Sequence, residues 1–363
     1  MNLLLAAAVA LSIDTDGMIR INGERVFIVG AYDLPKIAEP LKTANTAGFN
    51  LVHVNRQSIA AARAAGLYTW ATTGSKPDGI RATVNALQSD PSLIIWEIED
   101  EPTFVWKKPR EVRTTPETMI AARRLVQSID PKRLFYLNQS PTNLVPTLRR
   151  YNDSTDIVAT DIYPVIPRGI RNQYALWPDG QQGDLLNESI SQVGQYADKM
   201  RQVAGRGKPV FMVLQGFAWE SIQKQIDPKM LLYPTPAQAR FMAFQSIVHG
   251  ANGILYWGLH LGPPGNPAWQ AAKAVAEELK PLAAELAARP LPHQLTIDYT
   301  DTGHSLDRGI EYIVKPTKGG MLIIAVNADK NPVEASISGP NGCKYHDVVE
   351  PFGVRLYRCA GAP

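Results

Sequence analysis

The chain has 363 residues, of which 45% are hydrophobic and 20% charged, so it can form one large domain with a smaller companion and is not generally disordered. Its formal net charge is only +3 and no Lys/Arg-rich block occurs, which argues against a nucleic-acid partner. No apolar segment is long enough to cross a membrane, so no membrane partner is predicted.

The amino end, MNLLLAAAVALS, resembles the apolar part of a secretory signal with an Ala8-Val9-Ala10 cleavage site, although it lacks the usual Lys or Arg. We therefore predict a signal peptide within residues 1–12 and a secreted or periplasmic protein. The two cysteines, Cys343 and Cys359, both lie near the carboxyl end. In an exported protein such a pair is expected to form a disulfide, whereas in a cytosolic one it would be two buried thiols.

Strands and helices are predicted to alternate through residues 13–289. A hairpin with an Asn22-Gly23 turn comes first, at residues 14–25. Apolar strands are then predicted at 25–32, 49–54, 67–71, 93–102, 133–138, 156–163, 208–215 and 253–257. Helical segments are predicted at 37–47, 58–65, 80–87, 116–129, 143–151, 188–203, 236–248 and 267–286. Eight such alternations predict the α/β class and a (β/α)8 TIM barrel.

The pattern changes after Arg289-Pro290. Short alternating segments follow at 310–315, 321–327, 333–338 and 354–358, with Gly-Gly and Asn-Gly turns between some of them. Residues 290–363 are therefore predicted to form a small antiparallel β-sandwich.

Four acidic residues occur together where the fourth barrel strand ends. Glu97, Glu99, Asp100 and Glu101 lie within five residues, and the strand is predicted to end at Pro102. Carboxylates at the carboxyl ends of barrel strands are catalytic candidates. Strict alternation would place the three glutamates on one face, where burial and mutual repulsion would keep Glu101 protonated. The alternatives are a solvated acidic loop, or pairing of Glu97 and Glu99 with Arg or Lys.

The pattern Trp96-x-x-x-Asp100-Glu101-Pro102 resembles the Trp-x-x-x-Asn-Glu-Pro motif of clan A glycoside hydrolases. This resemblance implies that Glu101 is the general acid/base and that Asp100, here in place of the usual Asn, contacts the 2-substituent of the sugar. It also implies a carbohydrate substrate. The layout agrees over the barrel, but no single family within the clan can be assigned.

Two further strands resemble those of barrel glycosidases. Residues 156–164 look like their sixth strand, with Asp161 and Tyr163 at its mouth. Residues 250–257 look like their eighth strand, which implies that Trp257 forms the floor of a sugar subsite.

The seventh strand departs from the resemblance, because it ends in Gln215 where the clan has the nucleophilic Glu. An amide cannot attack the anomeric carbon, so the two-carboxylate retaining mechanism lacks its usual second member. Asp161, Glu220 or Asp33 could supply that carboxylate. Alternatively, a 2-acetamido group of the substrate could be the nucleophile, held by Gln215 or Tyr163. The remaining alternative is a catalytically inactive barrel that binds carbohydrate.

The other candidates are substrate-binding residues at strand ends and on long loops. They are Asp33, Asn138, Trp219, Trp106, Tyr174 and Trp177. The histidines show no metal-ligand spacing and no phosphate-binding loop is present, so neither a metal nor a cofactor is predicted. The same lack of ligands, and of a Lys at a strand end, disfavours a metal-dependent hydrolase or an aldolase.

Overall fold

Eight parallel strands form a closed barrel at the centre of the computed structural model, which describes residues 9–105, 111–167, 190–292, 294–300 and 308–361. The barrel strands are β4 (Ile28–Ala31), β5 (Leu51–His53), β6 (Tyr68–Thr72), β7 (Leu93–Glu97), β8 (Leu134–Gln139), β9 (Ile157–Ile162), β10 (Val210–Gln215) and β11 (Gly253–Trp257). Each strand pairs with the next in the sequence, and β11 closes the barrel against β4. The predicted fold class is confirmed.

Helices surround the barrel between successive strands. They are α1 (Pro40–Ala47), α2 (Ile59–Ala64), α3 (Pro77–Leu87), α4 (Pro116–Ile129), α5 (Val145–Arg149), α6 (Gln192–Ala204), α7 (Pro236–Val248), α8 (Pro267–Leu279) and α9 (Ala283–Ala287). The single helix predicted at 267–286 is wrong, because a 3-10 turn at Lys280–Leu282 separates α8 from α9. Pro281 lies in that turn and has no N–H to continue the helical hydrogen bonds.

A small amino-terminal sheet covers the end of the barrel opposite the carboxyl ends of its strands. It contains β1 (Leu11–Ile13), β2 (Ile19–Ile21) and β3 (Glu24–Val26). Ile19 and Ile21 pack into the same cluster as the inward-facing residues of all eight barrel strands. Asn22 and Gly23, with φ of 54° and 87°, form the turn predicted between β2 and β3. The strand predicted at 25–32 is instead divided between β3 and β4.

The last side chains of β7 alternate between the barrel interior and the surrounding helices up to the start of the acidic cluster. Ile95 belongs to the barrel interior, whereas Trp96 packs under the helices and donates a hydrogen bond from Nε1 to Asp130 at 3.0 Å. Glu97 is the last residue of β7, and its side chain bonds to Trp70 in the interior. The prediction that the strand continues to Pro102 is therefore wrong, and alternation does not fix the direction of the acids beyond Glu97.

Two antiparallel sheets follow the barrel. One contains β12 (Thr296–Tyr299), β15 (Val333–Ser338) and β16 (Lys344–Val349), and the other contains β13 (Ile310–Thr317), β14 (Gly320–Asn327) and β17 (Val354–Ala360). Met321 and Ile323 of β14 pack between the two sheets, while Leu322 and Ile324 pack into the core of the barrel's helical layer. Because β14 is buried on both faces, its sequence is an unbroken apolar run.

The predicted disulfide is confirmed. Cys343 and Cys359 are bonded, with their Cα atoms 5.6 Å apart. Cys343 directly precedes β16 and Cys359 lies in β17, and these two strands belong to different sheets. The bond therefore fastens one sheet of the sandwich to the other.

Candidate active site

The predicted site residues lie at or just after the carboxyl ends of barrel strands. Asn138 is in β8 and Asp161 in β9, and Gln215 and Trp257 end β10 and β11. The remaining residues follow the strand ends by one to four positions: Asp33, Asp100, Glu101, Tyr163 and Trp219. Since the strands are parallel, these residues share one end of the barrel, which is the catalytic end in enzymes of this fold.

Asn138 joins two of the carboxylates. It is 4% exposed, and its Nδ2 donates to Asp100 Oδ1 at 3.0 Å and to Asp161 Oδ1 at 3.1 Å. The two carboxylate oxygens are therefore no more than 6.1 Å apart, the sum of those distances. The nitrogen and oxygen of the Asn138 amide cannot be exchanged, because the amide oxygen would then face two carboxylate oxygens, which are also acceptors.

Glu101 lies beside this pair on a backbone with a left-handed conformation, φ 43°. Its N–H donates to the carbonyl oxygen of Asn138 at 3.1 Å, and its own carbonyl oxygen accepts from the N–H of Phe104 at 3.0 Å. These bonds attach the loop after β7 to β8. Glu101 is consequently fixed next to the Asp100–Asn138–Asp161 group.

Tyr163 identifies where the carboxylates converge. Burial raises the pKa of its hydroxyl well above the usual value, and the negative charges of Asp161, Glu101 and Asp100 raise it further, in that order. The phenol therefore keeps its proton and is a potential hydrogen-bond donor on the side of the site where these carboxylates lie.

Asp100 is itself perturbed by this environment. Crowding by protein atoms raises the pKa of Asp100, while the hydrogen bond from Asn138 and the charge of Arg113 lower it, and Glu99 raises it again. The residue nevertheless keeps an exposed surface, so solvent screens part of this effect. Arg113, which also lies over the ring of Phe104, was not identified from the sequence.

The aromatic side chains form one wall of the site. Tyr163 stacks on Trp257, with ring centroids 5.7 Å apart and an interplanar angle of 27°. Phe217 packs edge-on against both rings, and Trp219 donates from Nε1 to the carbonyl oxygen of Tyr163 at 3.0 Å. Aromatic faces next to polar groups are typical of sites that bind sugar rings. Trp106, Tyr174 and Trp177 lie outside the described residues.

Gln215 has a different environment from the one expected of a substrate-binding residue. It is 1% exposed, and both of its Nε2 hydrogens are donated to backbone oxygens, those of Val165 at 2.9 Å and Phe217 at 3.0 Å. Its Oε1 accepts from the N–H of Val165 at 2.9 Å. This side chain therefore fastens the loop after β9 to the end of β10, which favours a structural role.

The three alternative carboxylates have separate positions. Asp161 lies beside Asp100, as described above, whereas Asp33 is exposed and 3.4 Å from Nδ1 of His260. Glu220 is fully buried and accepts from the N–H of Asp227 at 2.8 Å, so it stabilises its own loop. Of the three, Asp161 is the one that shares the amide of Asn138 with Asp100.

Several polar residues deeper in the barrel than the carboxylates were not recognised in the sequence as part of the site. The hydroxyls of Tyr32 and Tyr136 are 2.7 Å apart, and Thr72 bonds both His53 and Glu97. His53 and Thr72 end barrel strands and Tyr32 directly follows one, which is the signal that would have identified them, whereas Tyr136 lies within β8. Their short strands otherwise resemble ordinary core segments.

No group of three or more His, Cys, Asp or Glu residues within the described ranges is arranged to hold a metal ion. Among those same residues, no helix is both long and apolar enough to span a membrane.

The fold resembles that of solved glycoside hydrolases. No protein-family model matches the sequence, and no curated protein matches it. A glycoside hydrolase family 5 structure from Bacteroides vulgatus superimposes with a TM-score of 0.61 at 13% identity, over 98% of this chain and 94% of that one. A structure described as a glycoside hydrolase gives 0.59 at 14% identity, over 97% and 94%. The family 5 mannosidase from Rhizomucor miehei gives 0.51 at 12%, over 77% and 100%. At these identities the likeness establishes the fold.

Proposed function

We propose that this protein is a glycoside hydrolase in which Glu101 is the general acid/base and Asp161 the second carboxylate. The observation that carries the proposal is the group of Asp100, Asn138 and Asp161, with Glu101 held beside it, at the carboxyl end of the barrel. The similar folds of solved glycoside hydrolases support it.

In the proposed reaction, Glu101 gives its proton to the oxygen of the leaving group. The carboxylate of Asp161 stabilises or attacks the anomeric carbon, and water then completes hydrolysis while Glu101 recovers a proton. Asn138 holds Asp161 and Asp100 at a fixed separation.

Tyr163, Trp257 and Trp219 are the proposed sugar-binding surface, with Asp33 at its rim. Asp100 is proposed to accept a hydrogen bond from the 2-substituent of the sugar. Because Asp100 and Glu101 are adjacent and the Tyr163 hydroxyl is a donor, a 2-acetamido substrate could also supply its own nucleophile. That variant of the mechanism makes Asp161 dispensable.

A panel of aryl glycosides that includes N-acetyl sugars tests the function. We expect Glu101→Gln to lower kcat/KM by at least about 10²-fold, with a smaller loss for leaving groups that need no protonation. Glu117→Gln, which makes the same change on the exposed side of α4, is the control. Asp161→Asn separates the two nucleophiles, since it inactivates a two-carboxylate enzyme and spares a substrate-assisted one.

If the wild-type protein cleaves no member of the panel yet binds sugars, it is an inactive carbohydrate-binding barrel and the proposal fails.

We also propose that the protein is exported, to the periplasm or the medium. The disulfide between Cys343 and Cys359 supports this, because such bonds persist in oxidising compartments. Leu11 and Ser12 pair with β2, so a cleaved leader would have to end before them, as cleavage after Ala10 does. Cell fractionation tests the proposal, and recovery of only reduced, cytosolic protein contradicts it.

A further inference from the structure

Glu97 is a buried acid beneath the three carboxylates. It is 1% exposed, and its Oε2 accepts hydrogen bonds from Trp70 Nε1 at 3.2 Å and from Thr72 Oγ1 at 2.9 Å. Its Oε1 is buried and has no hydrogen-bond partner in the part of the chain that the structure describes. The charges that act on it are those of Asp100 and Glu99, which are both negative.

A carboxylate in such a place is unstable as an anion. Burying an ionised group with one oxygen unpaired costs far more than protonating it, and the negative charges of Asp100 and Glu99 add to that cost. The proton belongs on Oε1, because Oε2 already accepts from two donors. In agreement, burial, followed by the charge of Asp100, raises the pKa of Glu97 to about 8.

His53 fixes the direction of the bond that Thr72 makes to Glu97. Thr72 has one hydrogen, and if it donates that hydrogen to Glu97 it must accept from His53, whose Nε2 is 3.0 Å away. The imidazole then carries its hydrogen on Nε2. The chain His53–Thr72–Glu97 thus reaches from the partly exposed His53 to the buried acid.

We propose that Glu97 is a positioning residue for the carboxylate cluster, held neutral so that Asp100 and Asp161 can both accept from Asn138. The kinetic consequence of this inference rests on the proposed glycosidase function. When Glu97 ionises, a further negative charge appears beneath Asp100, which weakens the arrangement of the cluster.

The other titratable groups that face Glu97 cannot produce the same effect near pH 8. Tyr32 and Tyr136 have pKa values that burial raises well above 10, so their hydroxyls stay neutral. Burial lowers the pKa of His53, which keeps the imidazole neutral in the alkaline range. The negative charges of Asp100 and Glu99 favour the protonated form of Glu97.

Infrared difference spectra between about pH 6 and pH 10 test the protonation directly. The wild-type protein should show a protonated-carboxyl band that disappears with an apparent pKa near 8, and Glu97→Gln should lack that band. Glu99→Gln is the control, since Glu99 accepts from the N–H and hydroxyl of Ser75 at 2.9 and 2.7 Å and should not be the source. A spectrum unchanged in Glu97→Gln overturns the inference.

The hydrogen bond from Thr72 supplies a second readout. This bond lowers the pKa of Glu97, so Thr72→Val should move the titration to higher pH and Thr72→Ser should restore it. A purely structural role of Thr72 would leave the titration in place.

The kinetic arm follows kcat/KM from about pH 7 to pH 9 on any aryl glycoside that is cleaved. A group with a pKa near 8 is about one-tenth protonated at pH 9, so it contributes a fall of up to about tenfold in the wild type. That contribution should be missing in Glu97→Gln. An equal fall in both proteins overturns the positioning role even if Glu101→Gln is inactive. If no glycoside is cleaved, the proposed function fails, while the infrared result still decides the state of Glu97.

Discussion

Glu101 occupies a backbone conformation that is unfavourable for a residue with a side chain. Its φ of 43° lies in the left-handed region, where a Cβ atom costs about 1–2 kcal/mol. Its backbone bonds to Asn138 and Phe104 maintain this conformation. Strain of this kind is concentrated at functional sites, where it positions a side chain that an ordinary strand would direct elsewhere. The proposed general acid is therefore placed at the expense of stability.

We predict that Glu101→Gly is more stable than Glu101→Ala by about 1 kcal/mol, measured as the free energy of unfolding in urea. Both variants lose the carboxylate, so the comparison isolates the Cβ atom. At most positions the order is reversed, since glycine increases the entropy of the unfolded chain. An alanine variant that is the more stable of the two contradicts the left-handed conformation.

At the scale of elements, the ends of β9 and β10 are joined by the Gln215 side chain. It makes three hydrogen bonds to the backbone of Val165 and Phe217. The strand end that normally supplies a nucleophile in clan A enzymes therefore shapes the loop that follows Tyr163. Tyr163 directly precedes that loop, so Gln215 acts on the aromatic side chains indirectly, through the backbone. Its own amide group is already hydrogen-bonded to backbone atoms.

We predict that Gln215→Glu destabilises the protein by about 2–4 kcal/mol at neutral pH, because a carboxylate oxygen would face two backbone carbonyl oxygens. Gln225→Glu, an exposed position in the loop after β10, is the matched control and should be nearly neutral. Urea unfolding at pH 7 measures both. A stable Gln215→Glu variant with increased hydrolysis would show instead that this position faces the substrate.

At the scale of the whole molecule, the sandwich is packed against the barrel through α7. Leu322, Ile324 and Val354 belong to the same apolar cluster as the buried face of that helix. Arg240 of α7 makes a double ion pair with Glu278 of α8 and also donates to the carbonyl oxygen of Val354. The two parts therefore share one core, and their stabilities should be coupled.

His249 carries a pH-dependent contact between them. Its Nδ1 is 3.0 Å from Asp198 on α6, and its Nε2 is 2.9 Å from Glu311 on β13, which also pairs with Arg308. Burial lowers the pKa of His249, but the hydrogen bonds and charges of the two acids outweigh it, so the net pKa is raised. This contribution to stability is complete below the unfolded pKa of about 6.5 and is lost as pH rises through the folded pKa.

We predict that His249→Gln lowers the free energy of unfolding by about 1–2 kcal/mol at pH 6 and by less at pH 9. Urea denaturation of both proteins at the two pH values measures the difference. The control is His346→Gln, because His346 is exposed and pairs with Glu334 on the sandwich surface. A penalty at His249 that does not change with pH contradicts the charged contact.

The disulfide between the two sheets gives the last prediction. Its cysteines are separated by 16 positions, and closing a loop of that size contributes about 3 kcal/mol in the chain-entropy model. The double variant Cys343→Ser, Cys359→Ser should therefore have a free energy of unfolding that is lower by about this amount. It should unfold at a lower urea concentration than the wild type. Reduced wild-type protein should behave like the variant. If reduction leaves the transition unchanged, the bond is absent from the folded protein in solution.

The elements that could be predicted accurately are those with local signals. Helices α4 and α7 begin at Thr-Pro sequences whose threonines cap them, and their observed bounds equal the predicted ones. Strand β7, in contrast, was predicted five residues too long, since Ile98 continues its apolar pattern although Glu101 turns left-handed. A period-two pattern shows where a strand can form, but hydrogen bonds to neighbouring strands decide where it ends.

The sequence by itself determined the barrel and the sandwich, because hydrophobic periodicity and chain-wide alternation are properties of the order of residues. It also identified the acidic strand end. Only the tertiary structure decided how those acids differ: Asn138 holds Asp100 beside Asp161, Trp70 and Thr72 surround Glu97, and backbone groups occupy Gln215. These contacts join strands separated by tens of residues, and the environment they create, which no local pattern encodes, sets the charge of each group.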